Sequence, residues 1–392
     1  METVGTGLSR WFPSRWFLPG GSWRGRIKKD IVLTNSIIIK SASGGLKIGG
    51  ISPIRVNCNV GANSLLQMDY EYKRLKAIQY SDLLPDTFMD LSIGCYDKPL
   101  YKEIIGLVGC PVGIVPAYLF TNPSSITKTE AIDVLKRLAD DGLSFFTLHL
   151  TATKELFALA SQTRKIPVTS RGGSIVLRHL LDTGKESIWL SILPEIIAIA
   201  KEYKIVISLG STFRPAGIEE ACDEVHIRET KEQLIICQQL QAEGVQVMVE
   251  NVGHIPLDKL EGHCALLKQF NAPIMPLGPL PTDCAENEDH IVSAIGASMM
   301  GYWDCAHIIN CITRSEHTKS FFSIEETLEA IKTAKLAAHI IDVARGIDTE
   351  KDAKMFEKRA SLENCLGKAN GDCTRCSQYC PLKFSKDYGT KN

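Results

Sequence analysis

The chain has 392 residues, and its 44 Lys and Arg residues are balanced by 45 Asp and Glu residues, giving a formal net charge of -1 at pH 7. This balance excludes a strongly basic nucleic-acid-binding protein, so the sequence predicts no nucleic-acid partner. Hydrophobic residues make up 44% of the chain, but no apolar run approaches the roughly 18 to 20 residues of a membrane-spanning helix, so we expect a globular chain with no membrane span.

Residues 1–30 hold three of the five tryptophans and an excess of basic residues. They lack the apolar segment of about 7 to 15 residues that a secretory signal needs. A membrane-surface or targeting segment is one interpretation, but we favour a poorly ordered extension or translation from an upstream start codon. The sequence therefore predicts a partly disordered N-terminal extension over 1–54.

From about residue 55 to 345, short apolar runs alternate with segments of helical periodicity, which is typical of a parallel sheet with crossover helices. The predicted strands are 88–93, 112–119, 145–150, 166–170, 205–209, 245–250, 274–277 and 307–312. The predicted helices include 130–141, 192–203 and 230–243. Eight such units predict an α/β fold with a (β/α)8 barrel over 55–346. An open, doubly wound sheet is the alternative, but no Gly-x-Gly-x-x-Gly follows the first strand.

Polar residues follow the ends of these predicted strands, where barrels of this kind carry their active sites. The sequence Ser-Arg-Gly-Gly-Ser at 170–174 offers an arginine, a hydroxyl and glycine N–H groups that suit a phosphate, although a Gly-Gly pair is as often only a turn. His254 and His317 follow different strands. Each alone is an ordinary loop residue, but as neighbours at one barrel mouth they could hold a divalent metal with open positions.

The barrel pattern ends near residue 346, and residues 347–392 are predicted to form a C-terminal tail. Cys373, Cys376 and Cys380 have the spacing Cys-x2-Cys-x3-Cys. Three thiolates fit a 4Fe-4S cluster that keeps one iron open for a non-protein ligand. The spacing also allows a closed electron-transfer cluster completed by Cys365, or a zinc knuckle with Cys365 or a histidine as fourth ligand.

The 13 cysteines are an odd number, and many lie in apolar stretches, among them Cys58, Cys110 and Cys311. A disulfide framework would favour evenly paired cysteines. The pattern therefore favours a reducing compartment and predicts a cytoplasmic protein.

Seven motifs occur in a fixed order: Val-Asn-Cys-Asn-Val-Gly, Met-Asp-Leu-Ser, Pro-Val-Gly-Ile-Val-Pro-Ala-Tyr, Ser-Arg-Gly-Gly-Ser, Val-Gln-Val-Met-Val-Glu-Asn-Val-Gly-His-Ile-Pro, Leu-Gly-Pro-Leu-x-Thr-Asp and Asp-His-Ile. The series resembles the phosphomethylpyrimidine synthase (ThiC) superfamily over about residues 52–346 and the cysteine tail. The resemblance implies a (β/α)8 barrel with a C-terminal 4Fe-4S tail. It also implies radical cleavage of S-adenosyl-L-methionine, attack on the ribose of 5-aminoimidazole ribonucleotide, bound zinc, a homodimer and an electron donor for the cluster.

The resemblance also implies site residues, position by position. The substrate contacts would be Asn59, Met89, Tyr118, His149, Ser170, Arg171, Gly172, Ser211, Thr212, Phe213, Arg214, Glu250 and Met275. The zinc ligands would be His254 and His317, and the cluster ligands Cys373, Cys376 and Cys380. Glu250 is the candidate catalytic acid or base, because it lies four residues before a metal histidine. Its alternative role is to hydrogen-bond the substrate or orient a ligand.

Three departures from the family pattern bear on the product. Ser211-Thr212-Phe213 replaces the Asp-Gly-Leu of the thiamin enzymes, Met275 replaces a tyrosine, and the cluster spacing is one residue shorter than the usual x2, x4 pattern. Losing a charge and a hydroxyl from a small polar pocket is costly for an unchanged substrate complex. The departures favour the paralogue that makes 5-hydroxybenzimidazole for the lower ligand in anaerobic cobalamin biosynthesis.

Two alternatives accompany this prediction of a radical SAM carbon-carbon lyase. The first is phosphomethylpyrimidine synthase, which forms 4-amino-5-hydroxymethyl-2-methylpyrimidine phosphate for thiamin biosynthesis from the same ribonucleotide. The second, of another class, is a non-catalytic partner of a paralogous subunit, motivated by the altered segment at 211–213 and the shortened tail. It predicts no deoxyadenosine formation even with a full cluster.

Overall fold

The computed structural model describes residues 34–94, 98–120, 122–362, 365 and 373–383. The strands are β1 Ile37–Ser41, β2 Gly44–Ile48, β3 Arg55–Val60, β4 Thr87–Asp90, β5 Val112–Ile114, β6 Phe145–Leu148, β7 Val206–Leu209, β8 Val247–His254, β9 Ile274–Leu280 and β10 Ile308–Asn310. The α-helices are α1 Leu65–Gln79, α2 Leu100–Val108, α3 Lys128–Asp140, α4 Lys154–Thr163, α5 Arg171–Thr183, α6 Leu193–Tyr203, α7 Glu224–Ala242, α8 Leu257–Leu267, α9 Asp289–Tyr302, α10 Ile324–Ala344 and α11 Glu350–Leu362. Among the helices in these ranges, none is long and apolar enough to cross a membrane.

Strands β3 to β10 form one parallel sheet in the order β10-β3-β4-β5-β6-β7-β8-β9. The two ends of this order meet, because the N–H of His307, just before β10, donates to the carbonyl of Ile274 on β9 at 2.9 Å. Helices connect successive strands from β3 onward, as parallel pairing requires. The predicted (β/α)8 barrel is confirmed.

Strand β3 is a barrel strand that the sequence analysis did not predict. Its sequence, Arg-Val-Asn-Cys-Asn-Val, alternates apolar and polar residues, and Asn57 is fully buried. Nδ2 of Asn57 donates to Oδ1 of Asn310 on β10 at 2.6 Å, and Oδ1 of Asn57 accepts from the hydroxyl of Thr87 on β4 at 2.8 Å. Buried polar side chains thus join three neighbouring strands, a composition that a search for apolar runs does not identify as a strand.

The predicted strand at 166–170 is wrong, because this segment is an irregular connection between α4 and α5. Pro167 has no N–H for a strand ladder, and Ile166 is 51% exposed instead of buried. The N–H groups of Thr169 and Ser170 both donate to the carbonyl of Thr212, each at 3.3 Å. The predicted number of barrel strands is right only because this error offsets the missing β3.

Local signals explain two shifted boundaries among the other predicted elements. The strand predicted at 112–119 ends at Ile114, because a 3-10 helix begins at Pro116. The helix predicted at 230–243 begins earlier, at Glu224, where the side chain of Asp223 accepts the N–H of His226 at 2.8 Å. The first turns of α7 bury polar side chains, so their pattern does not resemble an amphipathic helix.

The β1–β2 hairpin packs at the end of the barrel where the strands begin. Gln246 directly precedes β8, and its Oε1 accepts the N–H of Ile38 at 2.8 Å while its Nε2 donates to the carbonyl of Ile38 at 3.1 Å. The carboxyl ends of the strands form the opposite end of the barrel. Residues 1–33 of the predicted extension lie outside the described residues, and the division into 1–54, 55–346 and 347–392 remains a prediction.

Candidate active site

Glu250 on β8 is held by hydroxyl groups from two other strands. Its Oε1 accepts hydrogen bonds from Thr147 on β6 and Ser208 on β7, each at 2.6 Å. Burial raises the pKa of Glu250, while the two hydroxyl groups and the charge of Arg214 oppose that rise. A buried, oriented carboxyl with a raised pKa suits a role in proton transfer.

Two predicted substrate contacts accompany Glu250. Met275 on β9 is the register partner of Glu250 and is fully buried. Arg214 follows β7, and its Nη1 donates to the carbonyl of Ser211 at 3.1 Å. Burial lowers the pKa of Arg214, and the negative charge of Glu250 counteracts this effect. The barrel mouth therefore combines opposite charges with an adaptable thioether.

His149 and Ser170 form a second pair of predicted contacts. Nε2 of His149 lies 2.6 Å from Oγ of Ser170, whereas Nδ1 of His149 is buried and has no hydrogen-bond partner among the described residues. Burial, with a smaller effect of the Arg214 charge, lowers the pKa of His149 to about 3. His149 is therefore neutral at pH 7, and its Nδ1 is a buried nitrogen that forms no hydrogen bond with the described residues.

The glycines of the Ser-Arg-Gly-Gly-Ser motif are required by close packing. A Cβ at Gly172 would overlap the imidazole ring of His149, and a Cβ at Gly173 would lie 2.5 Å from Cγ2 of Thr212. Both glycines lie in the first turn of α5, where the N–H of Gly173 donates to Oγ of Ser170 at 3.2 Å. The start of an α-helix also attracts anions, so the predicted phosphate contact stays a prediction beside this packing role.

Arg171, at the start of α5, lies over the ring of Tyr118, with its guanidinium carbon 4.5 Å from the ring centroid. Its Nη2 donates to the carbonyl of Leu91 at 3.4 Å. Asn59 on β3 pairs in register with Met89 on β4. All four predicted contacts thus lie at the ends of neighbouring barrel units.

A cavity of about 220 Å³ at the mouth is lined by Asn59 and Arg171 together with Glu71 and Arg74 of α1. Glu71 and Arg74 form a buried ion pair, and Nε of Arg74 has no partner among the described residues. The sequence analysis missed this pair, because a Glu and an Arg three residues apart are typical of an exposed helix face. The cavity can therefore accept a polar ligand.

Residues 211–213, which replace Asp-Gly-Leu, are bound to a carboxylate that the sequence analysis missed. Glu229 of α7 accepts hydrogen bonds from the hydroxyl of Ser211 at 2.7 Å and from the N–H groups of Thr212 at 2.6 Å and Phe213 at 2.9 Å. It also accepts from the hydroxyl of Thr151 at 2.7 Å. All three loop side chains are fully buried. Their immediate role is to fix the loop that carries Arg214.

The structure brings the two predicted metal ligands together. The imidazole centroids of His254 and His317 lie 5.4 Å apart. Nδ1 of His254 lies 2.7 Å from Oδ1 of Asp283, and Nδ1 of His317 lies 3.2 Å from Oδ1 of Asp289. A carboxylate that accepts the Nδ1–H of a histidine leaves Nε2 free for a metal. Both carboxylates belong to motifs of the resemblance, but no role was assigned to them from sequence.

A distortion of β8 positions His254. The register with β9 shifts between Val252 and His254, and Val252 has a φ of 96°, which is strained for a β-branched residue. Gly253 is required next to it, because a Cβ there would lie 2.6 Å from the carbonyl oxygen of Pro215. Such strain is often associated with a functional site.

The three tail cysteines lie on a short segment around the 3-10 turn Ser377–Tyr379 and are partly exposed. Two hydrogen bonds lie within this segment, from the N–H of Tyr379 to the carbonyl of Cys376 at 3.0 Å and from the N–H of Lys383 to that of Cys380 at 3.1 Å. Accessible thiols fit a cluster that has to meet a ligand from outside the tail. Neither of these two hydrogen bonds joins the tail cysteines to residues of the barrel mouth.

Comparison with known proteins identifies similar chains. The family model described as the radical SAM ThiC family matches residues 24–387. The phosphomethylpyrimidine synthase of Thermotoga petrophila is 31% identical over 372 residues, covering 86% of each chain. That of Carboxydothermus hydrogenoformans is 30% identical over 385 residues, covering 88% of this chain and 87% of its own. That of Ignicoccus hospitalis is 32% identical over 333 residues, covering 81% and 74%.

Proposed function

The chain belongs to the radical SAM ThiC family, and from this premise we propose that it is a 5-hydroxybenzimidazole synthase. In this proposal a radical SAM carbon-carbon lyase rearranges 5-aminoimidazole ribonucleotide to 5-hydroxybenzimidazole, which serves the synthesis of the lower ligand in anaerobic cobalamin biosynthesis. The observation that carries the proposal is the position of Met275, fully buried and in register with Glu250. A thioether there, in place of the tyrosine hydroxyl of the thiamin enzymes, changes the wall of the pocket beside the candidate acid or base.

Different residues at the barrel mouth have different roles toward the ribonucleotide in this proposal. Arg171 and the start of α5 bind the phosphate, as an arginine and free helical N–H groups do. Neutral His149 offers Nδ1 to a ribose or base atom, since this nitrogen has no partner among the described side chains. Glu250 moves a proton, with Thr147 and Ser208 holding its carboxyl in place.

The tail and the histidine pair hold the metal groups of the proposal. Cys373, Cys376 and Cys380 would hold a 4Fe-4S cluster, and when bound this cluster would supply the one electron for reductive cleavage of S-adenosyl-L-methionine into methionine and a 5′-deoxyadenosyl radical. His254 and His317 would hold zinc, and Nε2 of each ring would be the ligand atom, because each Nδ1 lies against a carboxylate oxygen.

Membership of this family also leads us to propose an oligomeric state, an electron donor and a cellular compartment for the enzyme. A homodimer, in which the tail of one chain reaches the barrel of its partner, fits a tail segment whose hydrogen bonds, among the residues that the structure describes, lie within the segment. A paralogous subunit in place of the second copy is the variant of this proposal. The cluster needs an electron donor, and the many unpaired cysteines fit a reducing cytoplasm.

Phosphomethylpyrimidine synthase is the second candidate, favoured by the names of the curated relatives at about 30% identity. Anaerobic reconstitution with iron and sulfide, reductant, S-adenosyl-L-methionine and 5-aminoimidazole ribonucleotide separates the two by mass spectrometry. Deoxyadenosine with 5-hydroxybenzimidazole supports the proposal, and deoxyadenosine with the pyrimidine phosphate overturns it in favour of thiamin synthesis. A full cluster that yields no deoxyadenosine indicates the non-catalytic partner subunit.

Two variants control this experiment. Cys376→Ser removes a cluster ligand and is expected to abolish deoxyadenosine formation. Cys284→Ser changes an exposed cysteine outside the tail and is expected to leave it unchanged. Equal loss in both variants would indicate that the assay reports general damage instead of loss of the cluster.

A further inference from the structure

Cys222, His226 and His263 form a second group of metal-ligating side chains. Each offers one ligand atom, and these atoms lie within 4.8 Å of one another. Cys222 lies in the loop before α7, His226 in the first turn of α7 and His263 on α8, so the group connects three separate segments. The imidazole rings of the two histidines lie 4.3 Å apart, centroid to centroid.

Asn251 fixes which ring nitrogens are free. Its Oδ1 lies 2.8 Å from Nε2 of His263 and 3.3 Å from Nε2 of His226, and it accepts the N–H of Val252 at 2.6 Å. Its Nδ2 donates to Gln233, which confirms the side on which its oxygen lies. Both histidines therefore carry their proton on Nε2, and the lone pair of each lies on Nδ1.

The lone pair on Nδ1 of His263 accepts no hydrogen bond from the described residues. Nδ1 of His263 is buried and has no hydrogen-bond partner among the described residues, although the side chain is only 2% exposed. Among the described residues, Nδ1 of His226 accepts the backbone N–H of Cys222 at 3.2 Å, and a metal at this nitrogen would replace that single hydrogen bond. An unpaired buried nitrogen destabilises the folded state, so a ligand that takes this lone pair removes that penalty.

From this geometry we propose that Cys222, His226 and His263 bind a borderline or soft metal ion such as Zn²⁺, at a site separate from His254 and His317. One thiolate and two neutral imidazoles are ligands that zinc prefers, and they leave the fourth tetrahedral position open to water. Tetrahedral zinc places such atoms about 3.3 to 3.6 Å apart, so the three ligand atoms, which lie within 4.8 Å of one another, draw closer together as the ion binds.

The protonation states fit this assignment. Burial lowers the pKa of His226 well below its usual value and that of His263 to about 4, so both rings are neutral ligands at pH 7. Burial raises the pKa of the Cys222 thiol, so the metal displaces one proton from sulfur as it binds. Cys222 is only partly buried, which gives the ion a path from solvent.

The position of the site indicates what the ion does. Asn251 directly follows Glu250 and precedes the strained Val252, and its side chain contacts both histidines of the proposed site. A metal that ties the loop of Cys222 to α7 and α8 therefore supports the back of β8, at the distortion that positions His254.

Cobalt binding tests the proposal, because a thiolate ligand gives Co²⁺ a charge-transfer absorption in the near ultraviolet that histidine and carboxylate ligands do not give. The parent is the full chain with the tail cysteines changed to serine and with His254→Ala and His317→Ala, so that the tail cluster and the histidine pair do not contribute. We expect one Co²⁺ per chain with this band, displaced by one equivalent of Zn²⁺. Absence of the band in the folded parent overturns the proposal.

Two variants and one control locate the site in this parent. Cys222→Ser is expected to abolish the band, and His263→Gln is expected to weaken Co²⁺ binding at least tenfold while keeping a donor for Asn251. Cys284→Ser, which changes an exposed cysteine outside the group, is expected to keep the band. A band that survives Cys222→Ser, or one that is lost in Cys284→Ser, overturns the assignment, and circular dichroism establishes that each variant is folded.

Discussion

Glu250 and Met275 are register partners on β8 and β9, so the candidate acid or base and a fully buried thioether lie side by side on one face of the barrel wall. Met275→Tyr is expected to move part of the turnover from 5-hydroxybenzimidazole to the pyrimidine phosphate, because it restores a hydroxyl at this position. The larger ring also overpacks the site, at a cost of about 1 to 3 kcal/mol in unfolding free energy. Mass spectrometry of the products measures the shift.

Met275→Leu is the matched control, since leucine has a similar volume and no hydroxyl. It is expected to keep 5-hydroxybenzimidazole as the product. The same product ratio in the tyrosine and leucine variants would show that this position does not control the product.

Glu250→Gln is expected to lower kcat by about 100-fold to 10,000-fold, the range typical of losing a general acid or base. Glutamine keeps an oxygen that accepts from Thr147 and Ser208, so the shape of the site is preserved. Anaerobic turnover measures the effect, with Thr147→Val as the variant that removes one hydrogen bond and keeps the carboxyl. Unaltered turnover in Glu250→Gln would show that Glu250 does not transfer a proton in the reaction.

Asp283→Asn is expected to weaken zinc binding by about 10-fold to 100-fold, because Asp283 accepts the Nδ1–H of His254 and fixes the ring for the metal. Competition with a chromophoric chelator measures the zinc affinity. Glu286→Gln removes a nearby exposed carboxylate and is expected to leave the affinity unchanged. A loss of similar size in both variants would point to net charge as the cause.

Gly172→Ala is expected to weaken substrate binding and to destabilise the protein, because the added Cβ overlaps the ring of His149. Gly106→Ala is the matched control, since it also lies in an α-helix but has nothing within 4 Å of an added Cβ. It is expected to stabilise the protein by about 0.5 to 1 kcal/mol. Thermal unfolding and substrate titration measure both, and equal stability of the two variants would contradict the packing role.

Glu326→Gln is expected to lower the unfolding free energy by about 1 to 2 kcal/mol at pH 7. Lys319, the N–H of Ser323 and the hydroxyl of Ser315 hold the pKa of Glu326 at about 2, below its usual 4.5. The native state thus keeps this charge at pH values where the unfolded chain is protonated. The stabilisation is fully present above pH 4.5 and is lost as the pH falls towards 2.

Chemical denaturation of wild type and Glu326→Gln at pH 7, 4.5 and 3 measures this dependence. The difference between them is expected to shrink with falling pH, because glutamine does not titrate. Glu325→Gln changes the exposed neighbour in the same helical turn and is expected to show only a small difference at every pH. A difference for Glu326→Gln that stays constant with pH would exclude the charge as its origin.

The sequence located most of the barrel, since its apolar runs mark seven of the eight strands. It failed at β3, where buried Asn57 satisfies its polar groups with Asn310 and Thr87 from distant parts of the chain. It failed again at 166–170, where an apolar run with a proline connects two helices. The first error arises because local composition does not show which polar groups find buried partners, and the second because an apolar run does not show whether its side chains are buried.

The sequence by itself determined the family, the barrel and the order of the site residues, because ordered motifs and helical or strand periodicity are properties of the chain. Only the tertiary structure decided that Glu229 fixes the loop of Arg214 and that Cys222, His226 and His263 meet beside Asn251. Helix packing against the sheet brings these residues together. Their distances depend on the packed side chains between them, which no spacing along the chain encodes.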